Sequence, residues 1–195
     1  MKSEVIDGVT IVEVDDEIIY DGTQIDSKWA LRKFGILGNS VVYWRGPMNV
    51  KKVIDIEDKL LKRDIRGKDV LHFKIELFDA PDIRMAYMRQ RILVVVAKEF
   101  LEDITGKKIK RVGDDLYYND GKLSVSIATV SLSSELIHFG INITSSGVPK
   151  GLKVSSLDDL GLSDWRFIGY RISKRFIEEL KKIEWDIAKS EVIGD

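Results

Sequence analysis

The chain has 195 residues, with 31 Lys or Arg against 32 Asp or Glu and a formal net charge of −1. With 44% hydrophobic and 32% charged residues, it has the composition of a globular chain able to bury a sizeable core, which predicts a single domain over 1–195. The absence of cysteine excludes disulfides, thiolate metal sites and cysteine nucleophiles. The balanced charge gives no general attraction to nucleic acid.

The N-terminus lacks the charged start and apolar stretch of a secretory signal. The longest apolar run, "ILVVVA" at 92–97, is far too short to span a bilayer. The expectation is a cytoplasmic protein with no membrane or nucleic-acid partner. Abundant Lys, Glu and Ile, with only Gln24 and Gln90 as glutamines, fits a thermophile.

In chain order, "VTIVEV" (9–14) and "EIIYDG" (17–22) read as strands, rich in β-branched residues and bounded by short turns. "SKWALRKFG" (27–35) predicts a short helix, capped by Asp26 or Ser27 and ended by Gly35. "NSVVYW" (39–44) reads as a buried strand that runs into a loop at "RGP". Residues 50–66 mix strand and helix periods. In 69–78, Leu71, Phe73, Ile75 and Leu77 alternate with His72, Lys74 and Glu76, the period of a half-buried strand.

Pro81 and Asp82 then open a long helix over 82–106, apolar nearly all round at its centre, with Gly106 as C-cap. "KIKRV" (108–112), "DLYY" (115–118), "KLSVSIATVS" (122–131) and "LIHFGINIT" (136–144) read as successive antiparallel strands. "YNDGK" is a hairpin turn, because Asn119, Asp120 and Gly121 tolerate positive φ. The last element, 163–189, is helical, with Ser163 as its cap and Trp165, Ile168, Ile172, Phe176, Leu180 and Ile183 on its apolar face. Strands in runs rather than in βαβ alternation predict an α+β fold with a mixed, mainly antiparallel sheet and helices packed on it.

Residue by residue, few motifs carry chemistry. No glycine-rich phosphate loop of either common type occurs. His72 and His138 sit at polar positions of strands without a third ligand pattern, and read as structural rather than as a zinc site. No metal site is expected. Arg45 at the end of a strand has the geometry to grip a phosphate or carboxylate; a solvated turn is the plainer reading. Asp114 and Asp115 form a carboxylate pair suited to a metal ion or a nucleotide, or simply a solvated turn. Lys122 opens a strand, where a lysine ordinarily protects a sheet edge.

Read together, these segments resemble the catalytic domain of biotin- and lipoate-protein ligases, a fold similar to that of class II aminoacyl-tRNA synthetases. "KRVGDDLYYNDGKLSVSI" (110–127) lies where biotin ligases carry K-W-P-N-D, a hairpin and K-[LI]-x-G-I. "IHFGINIT" (137–144) resembles their G-I-G-I-N strand, and Pro149, "VSSLDDLGL" (154–162) and the final helix keep the downstream order. Upstream, 20–35 and 39–47 lie where the family places its first ligand-lining turn and its arginine-glycine loop. The "GNSVVYWRGP" and "DVLHFKIELFD" segments are also similar to those of an uncharacterised archaeal-type family. The ligase resemblance implies that Lys122 contacts the carboxylate and phosphate of an acyl-adenylate as the catalytic-type residue. It also implies a ligand site built from Arg45, Gly46, Asp114, Asp115, Gly140 and Asn142.

The departures are specific. Only Arg45–Gly46 remains of the R-G-R-x-G-R loop. Val112 and Gly113 replace the Trp and Pro, and Val125 replaces the glycine three residues after the lysine. A valine there fills space that a glycine leaves for a ligand. Three readings stay open. The first is an acyl ligase or acyltransferase acting on a small carboxylic acid or acyl-adenylate, using ATP and Mg²⁺ if a ligase, with a nucleotide and an acceptor protein as further partners. The second is a non-catalytic small-ligand-binding relative or a subunit of another enzyme. The third is an interaction protein without a chemical site. A homodimer joined through a sheet edge in 108–144 is expected.

Overall fold

The computed structural model describes residues 1–79 and 81–191. A six-stranded sheet runs in the order β1-β2-β3-β4-β9-β8. Its strands are β1 (Lys2–Ile6), β2 (Val9–Val14), β3 (Ser40–Asn49), β4 (Arg66–Leu77), β8 (Ser124–Val130) and β9 (Glu135–Asn142). Only β2 and β3 pair in parallel; every other neighbouring pair is antiparallel. A second sheet holds β5 (Lys110–Val112), β6 (Asp115–Tyr118) and β7 (Gly121–Lys122). The mixed, mainly antiparallel α+β architecture expected from the strand runs is thus the one present.

Two long helices, α3 (Ile83–Thr105) and α4 (Trp165–Lys189), cover one face. The Asp82 side chain accepts the Met85 N–H at 2.8 Å to start α3, and Gly106 ends it at φ 66° with its N–H on the Glu102 carbonyl. Asp164, not Ser163, caps α4, accepting the Phe167 N–H at 3.0 Å. Between helices and sheet lies a core that includes Tyr43, Phe73, Phe139, Leu93, Phe100, Ile172 and Phe176, each large side chain contributing roughly 1.5–3 kcal/mol by burial.

Several expectations change. "EIIYDG" is not a strand. It joins β3 only through a single bridge from Tyr20 to Met48 and crosses the sheet's second face, together with a 3-10 turn (Thr23–Ile25) and the short helix α1 (Trp29–Phe34). Because this segment covers that face, β4 is not half-buried: His72, Lys74 and Glu76 are as buried as the apolar residues between them. The "RGP" stretch is also not a loop. β3 continues through it to Asn49 with a register shift between Gly46 and Met48, the sort of irregularity at which a strand tolerates a proline. Residues 50–66 resolve into the one-turn helix α2 (Ile56–Leu60) and the start of β4. β1, which the period analysis passed over, forms a hairpin with β2 through Asp7 and Gly8, both at positive φ.

Candidate functional site

The 119–121 turn sets the position of Lys122. Asn119 and Asp120 lie at φ 47° and 61°, so the chain reverses tightly and pairs Tyr117 with Lys122. On its other side Lys122 donates its N–H to Lys153 O and accepts from Ser155 N, both at 2.9 Å. The lysine is therefore held by backbone bonds on two sides. Gly121 makes this possible: a Cβ there would come within 2.6 Å of the Val154 carbonyl carbon. Asn142 reinforces the junction by donating its side-chain amide to Lys122 O and Ser155 O, each at 3.1 Å.

The Lys122 ammonium meets Asp115 Oδ2 at 2.8 Å, and both side chains are about a quarter exposed. Burial pushes the Asp115 carboxyl above the usual range, and Lys122 offsets only part of that effect. Asp114 turns elsewhere, toward α3. Its Oδ2 accepts from Ser126 Oγ (2.7 Å) and Gln90 Nε2 (3.1 Å), and Arg91 lies 2.7 Å from Oδ1. Burial raises this carboxyl too, but the Ser126 hydroxyl and the Arg91 guanidinium outweigh it and hold the group below the usual range. The adjacent aspartates thus serve different partners rather than forming one pair. Among the described residues no group of three or more His, Asp or Glu is arranged to hold a metal ion.

Arg45 forms a two-point pair with Asp69, Nε to Oδ1 at 2.8 Å and Nη2 to Oδ2 at 2.6 Å. Through the register it aligns with Leu71, Ile141 and Ser124, placing it three strand spacings, roughly 14 Å, from β8. Gly46 is required by the chain itself, since a Cβ there would meet the Ile18 carbonyl oxygen at 2.3 Å. Gly140 lies beneath Val125, whose Cγ2 sits 3.3 Å from the place a Cβ would take. The structure therefore brings Lys122, Asp115 and Asn142 together, and leaves Asp114 and Arg45 with partners of their own.

Sequence reasoning missed a row of buried polar groups on the second face. His72 Nδ1 lies 3.1 Å from His138 Nε2, and His72 Nε2 lies 3.1 Å from Gly46 O. Tyr20 stacks on His138 with ring centres 3.5 Å apart, and Trp44 stacks on His72. Burial pushes His72 down to about 3 and His138 well below its ordinary value. Next in the row, Lys74 Nζ meets Glu76 Oε2 at 2.5 Å, with both side chains almost fully buried. Glu76 Oε1 also accepts from Ser27 Oγ, Lys28 N and Ser134 Oγ. Burial lowers Lys74, while Lys74 and the other donors hold Glu76 low against the burial that raises it. The available signal was the polar alternation of β4, which an uncovered strand would show equally.

The fold, with a lysine hairpin beside the edge of a mixed sheet, is similar to that of biotin and lipoate protein ligases. Biotin protein ligase from Aquifex aeolicus, in complex with biotin and ATP, superposes with a TM-score of 0.62 at 19% identity, covering 88% of this chain and 70% of that one. The lipoate-ligase-type protein Ta0514 from T. acidophilum, with bound lipoic acid, gives 0.56 at 13% identity, covering 88% and 85%. A protein of unknown function from Pyrococcus horikoshi is far more similar, with a TM-score of 0.90 and 40% identity over 95% of this chain and 100% of that one. The chain belongs to the family described as Domain of unknown function (DUF366), which matches residues 9–191.

Proposed function

We propose that the protein binds a small carboxylic acid, or its acyl-adenylate, at Lys122, as a ligase-like or acyltransferase-like relative of the biotin and lipoate ligases. The observation that carries this reading is the backbone-clamped Lys122 with Asp115 as an exchangeable counterion. A lysine fixed on two sides is a preorganised point charge for a carboxylate or phosphate. Because burial raises the Asp115 carboxyl, that residue is poised to give up its charge when a ligand anion takes its place. Asn142 holds the carbonyl of the same lysine, so the site has a rigid base. In a ligase reaction, Lys122 would neutralise the acid's carboxylate as its oxygen attacks the α-phosphate of ATP and pyrophosphate leaves, and Mg²⁺, when bound, would offset the negative charge of the nucleotide. A nucleophile on an acceptor protein would then take the acyl group from the acyl-adenylate, with AMP as the leaving group.

Val125 favours a second reading. Packed over Gly140, it narrows the surface on which an acyl chain would lie, in keeping with a binder that performs no transfer. Thermal-shift screening of small carboxylic acids with and without ATP and Mg²⁺, followed by pyrophosphate release with any hit, tests both readings. Release that Lys122→Ala abolishes supports the enzyme, whereas stabilisation without release supports the binder. No carboxylic acid or nucleotide raising the melting temperature would overturn both.

A further inference from the structure

We infer that the hollow between α1 and the end of β4 is a second ligand site, for a small monocarboxylate whose apolar body is about the size of a six-membered ring. The hollow holds about 160 Å³. A cavity of roughly 150 Å³ lined by apolar side chains is enough for benzene. Ala30, Leu31, Ile36, Leu37 and Phe78 form its apolar wall, and Lys28 and Glu76 are its charged residues. Leu37 is 80% exposed and Leu31 38%, so a ligand seated here takes apolar surface out of water. Backbone bonds keep the wall in place. The Gly35 N–H donates to Leu31 O at 2.9 Å, and the Phe78 N–H donates to Asn39 Oδ1 at 2.8 Å. The hollow is distinct from the Lys122 site. Glu76 lies six residues along β4 from Val70, the partner of Asn142, which is roughly 20 Å by strand rise.

Charge identifies the ligand. Glu76 is 1% exposed, and its charge is spent inside the protein. Its Oε1 accepts from Ser27 Oγ, Lys28 N and Ser134 Oγ, and its Oε2 meets Lys74. It offers no free charge to a ligand ammonium. The other charged residues of 26–38 and 74–79 are Asp26, Lys28, Arg32, Lys33 and Asp79. Asp26 pairs with Lys52, and Asp79 with Arg89. Lys28, Arg32 and Lys33 are exposed and have no carboxylate partner among the described residues. Of these three, Lys28 lines the hollow, and its backbone is left-handed, with φ 60° and ψ 22°. A lysine holds that conformation where its surroundings impose it. Here the Lys28 N–H donates to Glu76 Oε1 at 2.7 Å, so the buried carboxylate fixes the backbone that carries the ammonium. An unpaired ammonium beside an apolar hollow matches a carboxylate on an apolar body.

The test follows the backbone amides of the full chain by NMR during titration with benzoate, benzamide and benzylammonium at millimolar concentration. Benzoate should shift Lys28, Leu31, Gly38 and Phe78 saturably, and bind at least about tenfold more tightly than benzamide or benzylammonium. Lys28→Gln keeps the backbone bond to Glu76 and should weaken benzoate by about tenfold. Leu37→Ser, at an exposed position, should weaken it by about threefold or more through lost apolar contact. Amide spectra that match the wild type away from the hollow establish that both variants fold. No saturable shift with benzoate, equal affinity for the three compounds, or undiminished binding in Lys28→Gln would overturn the proposal. So would shifts confined to Lys122, Asn142 and their neighbours, since that result would assign the carboxylate to the Lys122 site alone.

Discussion

The two histidines of the chain, 66 residues apart in sequence, share one hydrogen bond in the interior: His138 Nε2 and His72 Nδ1 are 3.1 Å apart. Gly46 O can only accept, so the proton of His72 sits on Nε2 and its Nδ1 accepts from His138. Both rings are neutral. The folded His72 has a pKa of about 3 against an ordinary 6.5, so between these values the unfolded chain binds more protons than the folded one. Stability is then fully present above about pH 6.5 and falls as pH drops toward 3, at up to about 1.4 kcal/mol per pH unit per histidine. Urea melts of the wild type and of His138→Gln, taken between pH 7 and 4, should show a shallower decline in the variant. Parallel pH profiles would mean that the pair does not control acid sensitivity.

Lys122→Ala should weaken whichever anionic ligand the thermal-shift screen finds by roughly 2–3 kcal/mol, the range for losing a charge-assisted contact. It should also destabilise the fold by about 1 kcal/mol, because Asp115 is left partly buried without its cation. Lys122→Arg should restore the fold better than the binding, as a planar guanidinium does not reproduce an ammonium held at one point. Isothermal titration beside a urea melt separates the two effects. Unchanged affinity in the alanine variant would remove Lys122 from the site.

Lys74→Met removes one partner of a fully buried ion pair. The remaining Glu76 carboxylate would be left in the interior, at a cost of about 3–5 kcal/mol near neutral pH. Protonating Glu76 removes that charge, so the deficit relative to wild type should shrink as pH is lowered. Denaturant melts of both proteins at pH 7 and pH 5 measure it. A deficit that stays constant would mean that the pair's charge is not what stabilises the wild type.

Gly121→Ala would place a methyl group 2.6 Å from the Val154 carbonyl carbon, which is backbone and yields only by moving 153–155. A loss of about 1–3 kcal/mol is expected, together with weaker ligand binding, because Lys122 is aligned by the same bonds. Amide exchange at Lys122 and Ser155, followed by NMR, should accelerate in this variant far more than exchange in β3. Equal rates in the two proteins would show that the junction absorbs the methyl group.

Elements whose stabilisation is local were legible in the sequence. The long helices, β2, β4, β9 and the 119–121 turn follow from periodicity, capping and tolerance of positive φ, and that turn sets Lys122 opposite Tyr117, two residues along the strand from Asp115. Elements defined by distant partners were not. The β-branched run 17–22 has the residues of a strand, yet β3 already pairs with β2 and β4 over most of its length, and the run instead lies across the sheet. The row His72, Lys74 and Glu76 carries the pattern of a wet face, and only the covering segment 15–37, drawn from far away in sequence, makes it dry. Arg45 was read toward a ligand, but Asp69 on the neighbouring strand takes its charge.

The central position of β4 has a kinetic consequence. From Val70 to Glu76 it is paired on one edge with β3 and on the other with β9, and it is buried on both faces. Its amides have no route to solvent that does not first displace a neighbouring element. Closing β9 onto it joins residues separated by up to about 70 positions, a long loop whose entropy must be overcome before the pairing is rewarded. β4 should therefore sit in the last unit to open under native conditions, with exchange free energies near that of global unfolding, while the β1 hairpin at the sheet's margin opens first.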